Sequence, residues 1–181
     1  MVERSDLATD PDVLADLAEA RLAQAYFSRR LNELSDDELY EPASAPGFSR
    51  AHVVARVGYQ ARAIARLVEW AETGIEQPMH ESDAARRAEI EFGATLSDRA
   101  LRHLSDHAAV QLDVCWRDLP ADRWSRSVRL LDGAVVPVSE TLWLRTRELW
   151  ISSLELDNGA RQKDLPERVR AHLAASEDIS A

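Results

Sequence analysis

The chain has 181 residues, enough for one globular domain with a sizeable core. A hydrophobic fraction of 45% with few glycines and prolines excludes a disordered chain, and a formal charge of −10 excludes a non-specific nucleic-acid binder, whose surface must be cationic. No apolar run approaches the length that spans a bilayer and no basic-then-apolar start resembles a signal peptide, so a cytoplasmic protein without membrane or nucleic-acid partners is expected.

The first helix starts at Asp10-Pro11, a cap followed by a proline at the first helical position. Its apolar positions Leu14, Leu17, Ala25 and Leu31 keep a helical period to about Leu34, while Arg21, Arg29 and Arg30 read as solvated surface. Ser35 to Gly47 is a polar linker, where Pro42 and Pro46 oppose further helix. Ser49 opens the second helix, with His52 in its first turn and Val53, Val57, Ile64 and Leu67 facing inward, and Thr73-Gly74 closes it. Ile75 to Glu81 crosses loosely to a shorter helix that begins at Ser82 or Asp83 and runs through Phe92.

Thr95 and Asp98 have the spacing of a capping box for the third long helix, on which Leu101, Leu104, Ala108, Leu112 and Cys115 recur until Leu119-Pro120. After Trp124 the period changes, and Asp132-Gly133 between two short apolar runs predicts a two-stranded hairpin. The fourth long helix runs through PVSETLWLRTRELWISSLEL (Pro137 to Leu156), with Ser139 as its cap and Leu142, Trp143, Leu149 and Trp150 on one broad apolar flank. Beyond Asn158-Gly159 the chain turns polar, with one short helix from Pro166 to about Ala174 and loose final residues. The expected fold is all-α: a four-helix bundle over residues 1–160 with a small β-hairpin before the last long helix, then a polar tail over 161–181.

Chemistry concentrates on a few positions. Glu148 and Ser152 lie four apart on one helical face, and Glu148 either faces the bundle interior as a ligand or base, or pairs with Arg145 or Arg147 at the flank. His52 sits where a helix's first turn favours the neutral, metal-binding imidazole. His103 and His107 are one turn apart; His107, nearer the core edge, either lines the site or shares a solvated face. Cys115 reads as a small buried hydrophobe, because no neighbouring group activates it. No phosphate-binding glycine loop, dinucleotide fingerprint or paired-cysteine motif occurs.

Three segments carry a family resemblance: GFSRAHVVARVGYQA, WAETGIEQPMHESDAARRAEIEFGATL and VPVSETLWLRTRELWISSLEL. Across Pro11 to Leu156 the sequence resembles the mycothiol-dependent maleylpyruvate isomerase family, which implies a DinB-like four-helix bundle. The resemblance further implies a small-molecule enzyme using mycothiol and a divalent metal, typically zinc. The family's metal is held by a histidine early in the second helix, and by a glutamate and a second histidine four residues apart on the fourth. By position these fall on His52, Glu148 and Ser152, so serine stands where the third ligand is expected. The family's C-terminal domain is expected to be missing after Leu156, and a homodimer could cover the face this exposes.

Three functions are therefore expected to compete. One is a mycothiol-dependent isomerase or transferase acting on a small electrophilic or unsaturated keto acid, with an altered metal site using His52, Glu148 and His107 or water. Another is a metal-independent isomerase or cyclase of specialised metabolism, with His52 and Glu148 as an acid–base pair. The last is a non-catalytic binding or dimerisation bundle, its pocket filled by bulky side chains.

Overall fold

The computed structural model describes residues 5–179. Helix α1 (Pro11–Asn32) starts as expected, the Asp10 carboxylate accepting the backbone N–H of Asp12 at 2.8 Å. Then follow α2 (Arg50–Thr73), a short α3 (Asp83–Gly93), α4 (Asp98–Asp118), the hairpin strands β1 (Ser127–Arg129) and β2 (Val135–Pro137), α5 (Glu140–Glu155) and α6 (Glu167–Ile179). Helices α1, α2, α4 and α5 form the DinB-like four-helix bundle. Central α2 packs on α4 and α5, α1 lies along α5, and α3 packs on α2.

The core divides into two apolar clusters. One holds Leu17, Ile64, Leu67, Leu112, Trp116 and Leu142. The other holds Phe27, Leu31, Val53, Leu101, Leu149 and Trp150. Where one cluster gives way to the other, a polar group stands on each helix: Gln24 on α1, Gln60 on α2, buried Ser105 on α4 and buried Arg145 on α5. Arg145 donates to the Val57 carbonyl at 2.7 Å, the Gln60 amide oxygen at 3.1 Å and the Gln24 amide oxygen at 2.9 Å. These oxygens satisfy the guanidinium where no side-chain carboxylate touches it.

The hairpin pairs Ser127 with Pro137, Val128 with Val136 and Arg129 with Val135. Gly133, at φ +87°, takes the left-handed conformation its turn requires, and its N–H reaches the Leu130 carbonyl at 3.0 Å. Two expected caps shift. Ser97, not Thr95, caps α4 by accepting the Ala100 N–H at 3.3 Å, because the Thr95 hydroxyl instead donates back to the Phe92 carbonyl at 2.7 Å. Ser139 makes no side-chain cap, since its backbone is already helical. The polar linker also contains a short 3-10 turn over Asp37–Tyr40 that buries Leu39.

After residue 160 the chain stays on the bundle. Leu165 and Val169 are buried against the second cluster, and the Arg168 guanidinium lies over the Trp143 ring at 4.2 Å. Helix α6 outlasts Ala174, reaching Ile179, and the loose final residues that the sequence suggests lie partly outside the described residues.

Close approach of α3 to α2 depends on Gly93. A Cβ there would meet the Ala55 Cβ and the Tyr59 Cε2 at 2.7 Å each, and the Ala55 methyl has no rotamer with which to move aside. Gly93→Ala is expected to cost about 1–3 kcal/mol, as overpacking does, read as a lowered urea midpoint with far-UV circular dichroism retained.

Candidate active site

The start of α2 is held from both sides. The Ser49 N–H donates to His52 Nδ1 at 3.1 Å, and the Ser49 hydroxyl lies 2.7 Å from the same nitrogen. A backbone N–H can only donate, so Nδ1 is an acceptor and the ring proton of neutral His52 sits on Nε2, 3.3 Å from Glu91 Oε2. Arg50 anchors the same turn, donating through Nε to the Leu156 carbonyl at 2.6 Å and through Nη1 to the Glu38 carbonyl at 3.1 Å. This ties the first turn of α2 to the last turn of α5.

One turn beyond His52, Arg56 reaches across to α5. Its Nε donates to Glu148 Oε1 at 2.7 Å, and its Nη2 donates to Ser152 Oγ at 3.0 Å and to the Glu155 carboxylate. The Ser152 hydroxyl in turn donates to Glu148 Oε1 at 3.0 Å. Glu148, Ser152 and Glu155 share one face of α5, at helical spacings of four and three, so one planar fork can engage all three. Burial pulls the Arg56 guanidinium down, but Glu148 and Glu155 outweigh it and hold the group above its ordinary range.

Arg56 and Glu148 also line a cavity of about 660 Å³ between α2, α3, the hairpin and α5. Leu130 and Val136 of the hairpin and Trp143 of α5 form apolar wall; Arg86, Asp132, Glu140 and Arg147 add charge. Arg147 donates to His172 Nε2 on α6 at 3.2 Å, and among the described residues it forms no ion pair. Tyr59 and His80 line both this cavity and a neighbouring one. Burial raises the Tyr59 phenol, which keeps it a hydrogen-bond donor at neutral pH. The His80 ring is 3% exposed, with Nδ1 at 3.0 Å from Glu89 Oε2. Burial holds His80 below the ordinary histidine range, although Glu89 opposes it.

Sequence-based candidates separate here. His52 and Glu148 have different partners, Ser49 with Glu91 for one and Arg56 with Ser152 for the other. Glu148 pairs with neither Arg145 nor Arg147; Arg56 outcompetes them because its guanidinium crosses directly from α2. His107 is exposed and stacks on exposed His103, ring centroids 5.5 Å apart, on a face of α4 away from this cavity. Cys115 is half-buried, and burial raises its thiol, consistent with an inert side chain. Arg56, His80 and Glu89 escaped the sequence reading. Arg56 left a signal, a charged residue among Val53, Val54 and Val57 one turn after His52. His80 left none, because its burial comes from a connection with no regular period.

The donor set does not fit the family's metal. Ser152 supplies a neutral hydroxyl, and Arg56 puts a cation against Glu148. A metal on His52 Nε2 would require a proton on Nδ1, where the Ser49 N–H already points. Among the described residues no group of three or more His, Cys, Asp or Glu side chains is arranged to hold a metal ion.

The DinB-like bundle carries an open, largely apolar cavity with arginines in its wall, of a size that takes a small molecule. The chain belongs to the mycothiol maleylpyruvate isomerase family, an enzyme family: residues 20–156 match the family model described as the mycothiol maleylpyruvate isomerase N-terminal domain. The crystal structure of a mycothiol-dependent maleylpyruvate isomerase is 41% identical, over 91% of this chain and 68% of that one, with a TM-score of 0.86. The structure of a histidine-to-alanine mutant of such an isomerase matches with the same values. No match is found among curated proteins. Among the described residues no helix is long and apolar enough to cross a membrane.

Arg56→Met leaves Glu148 and Glu155 facing each other without their cation. The expected loss is about 2–3 kcal/mol in urea unfolding, below that of a fully buried pair because 26% of the Arg56 side chain is exposed. Adding Glu155→Gln should restore part of it. Neutral native His80 also sets a pH dependence. As pH falls through the unfolded value of about 6.5, the unfolded chain binds the proton first, so stability present above that pH is lost toward the lower native value. His80→Gln is expected to flatten this part of the stability–pH curve.

Proposed function

We propose that this chain is a thiol-dependent isomerase- or transferase-like enzyme that uses mycothiol on a small electrophilic or unsaturated keto acid, with Arg56 standing where the family's metal would be. The observation that carries the proposal is the Arg56 guanidinium, held by Glu148 and Ser152 in the wall of the cavity. An open cavity of about 660 Å³ argues against a non-catalytic bundle with a filled pocket. The separate partners of His52 and Glu148 argue against that pair as the acid and base.

A bound thiol would supply the nucleophile for reversible addition to an activated double bond, the chemistry that allows such a bond to isomerise. The chain's own groups bind and orient. Arg147, without an ion-pair partner among the described residues, suits a substrate carboxylate, which a guanidinium grips with two parallel hydrogen bonds. The protonated Tyr59 hydroxyl suits a ketone oxygen as negative charge develops there. Trp143, Leu130 and Val136 exclude water, which strengthens these contacts. Arg56 with Glu148 and Glu155 carries one positive and two negative charges, so this cluster does not itself favour a thiolate.

Zinc titration of four proteins tests this arrangement. Wild type and Ser152→His should bind zinc no better than His52→Ala, because Arg56 still occupies the site. Arg56→Ala/Ser152→His should bind it tightly. The purified wild type, treated with a chelator, should still isomerise maleylpyruvate in the presence of mycothiol. Stoichiometric zinc in the wild type, lost in His52→Ala, would refute the proposal.

A further inference from the structure

We propose that His80 is the general base of this cavity and Glu89 its positioning residue, a dyad that takes the proton of the bound thiol. The inference rests on the thiol-dependent function proposed above and supplies the proton acceptor which the Arg56 cluster lacks.

The geometry is that of an oriented imidazole. His80 lies in the connection between α2 and α3, which Arg66 holds by donating to the Pro78 carbonyl at 3.2 Å and to the Met79 carbonyl. Met79 is itself buried in the first apolar cluster, so the backbone leading into His80 is fixed. Glu89 is a carboxylate and only accepts, so the 3.0 Å contact places the ring proton on Nδ1 and leaves the Nε2 lone pair as the base. Nε2 makes no hydrogen bond to the described residues, and the ring forms part of the cavity wall.

The groups that face the ring are Arg66 from α2 and Arg86 and Glu89 from α3. The two arginines oppose the imidazolium and Glu89 favours it, while burial tips the resting state to the neutral ring. A resting neutral imidazole whose Nδ1–H is already held by a carboxylate that favours the imidazolium is suited to general-base catalysis. His80 Nε2 accepts the S–H proton as the thiol is engaged and returns it to sulfur when the thiol leaves. No atom is lost, nothing is oxidised or reduced, and the proton count is unchanged over an isomerisation turnover.

The test uses mycothiol with the intact protein and reads binding by calorimetry, the thiolate by its ultraviolet absorption band and His80 by its ring proton in NMR. On binding at neutral pH the wild type should develop the thiolate band while His80 moves to its protonated shift. His80→Gln should bind mycothiol with the S–H intact. Glu89→Gln, at a side chain 44% exposed and so tolerant of change, should lower the His80 titration and reduce the thiolate severalfold. Unchanged thiolate in His80→Gln, or a His80 ring that stays neutral on binding, overturns the dyad while leaving thiol dependence standing. Failure of the wild type to bind mycothiol overturns both.

Discussion

The bridge from Arg56 on α2 to Glu148, Ser152 and Glu155 on α5 is the interaction on which the rest of this structure depends. It joins two of the helices that wall the cavity, at a level where the family pattern expects a metal. A metal and a guanidinium pose different demands on the same residues. A zinc ion needs three donors converging at about 2 Å from one point, whereas a guanidinium presents a flat fork whose nitrogens accept partners near 3 Å. Serine in place of an imidazole suits the fork, because its short hydroxyl both accepts from Arg56 and donates to Glu148.

A metal and a guanidinium also differ in electrostatics. A divalent ion draws a thiol toward thiolate; a single guanidinium already matched by two carboxylates does not. Deeper in the bundle Arg145 carries a second positive charge on neutral oxygens, with burial pulling it down to about 10, still protonated at neutral pH. Taken together, Arg56, Arg145, Glu148 and Glu155 balance, two charges of each sign, so the interior is neutral without an ion. Arg145 also sits in the polar layer with Gln24 and Gln60, where its fixed partners set the register of α5 against α1 and α2.

The cavity owes its existence to what is added to the four helices. The bundle supplies Arg56, Tyr59 and Glu148; α3, the hairpin and the α2–α3 connection turn an open helix face into a chamber. The hairpin's left-handed Gly133 lets a tight turn bring Leu130 and Asp132 to its edge, and α6 steadies Trp143 through Arg168. The titratable groups follow the same division. His80 and Glu89 come from these additions, while the charges that brace the fold come from the bundle.

Helical periodicity, the Asp10-Pro11 start, the Thr73-Gly74 stop and the Asp132-Gly133 turn were enough to place the elements, because each rests on contacts within a few residues. The weak points were caps, where Ser97 displaced Thr95 through a competing hydroxyl bond that periodicity does not encode. The sequence alone also marked Glu148 and Ser152 as one helical face, since that depends on spacing along a single helix, and the family resemblance implied a histidine where Ser152 stands. Which side chain answers Glu148, which histidine is buried and which is solvated were decisions of the tertiary structure. Arg56 meets Glu148 across 92 positions of sequence, and His80 is buried while His107 stacks in solvent, because long-range packing, not local pattern, determines what lies opposite a given face.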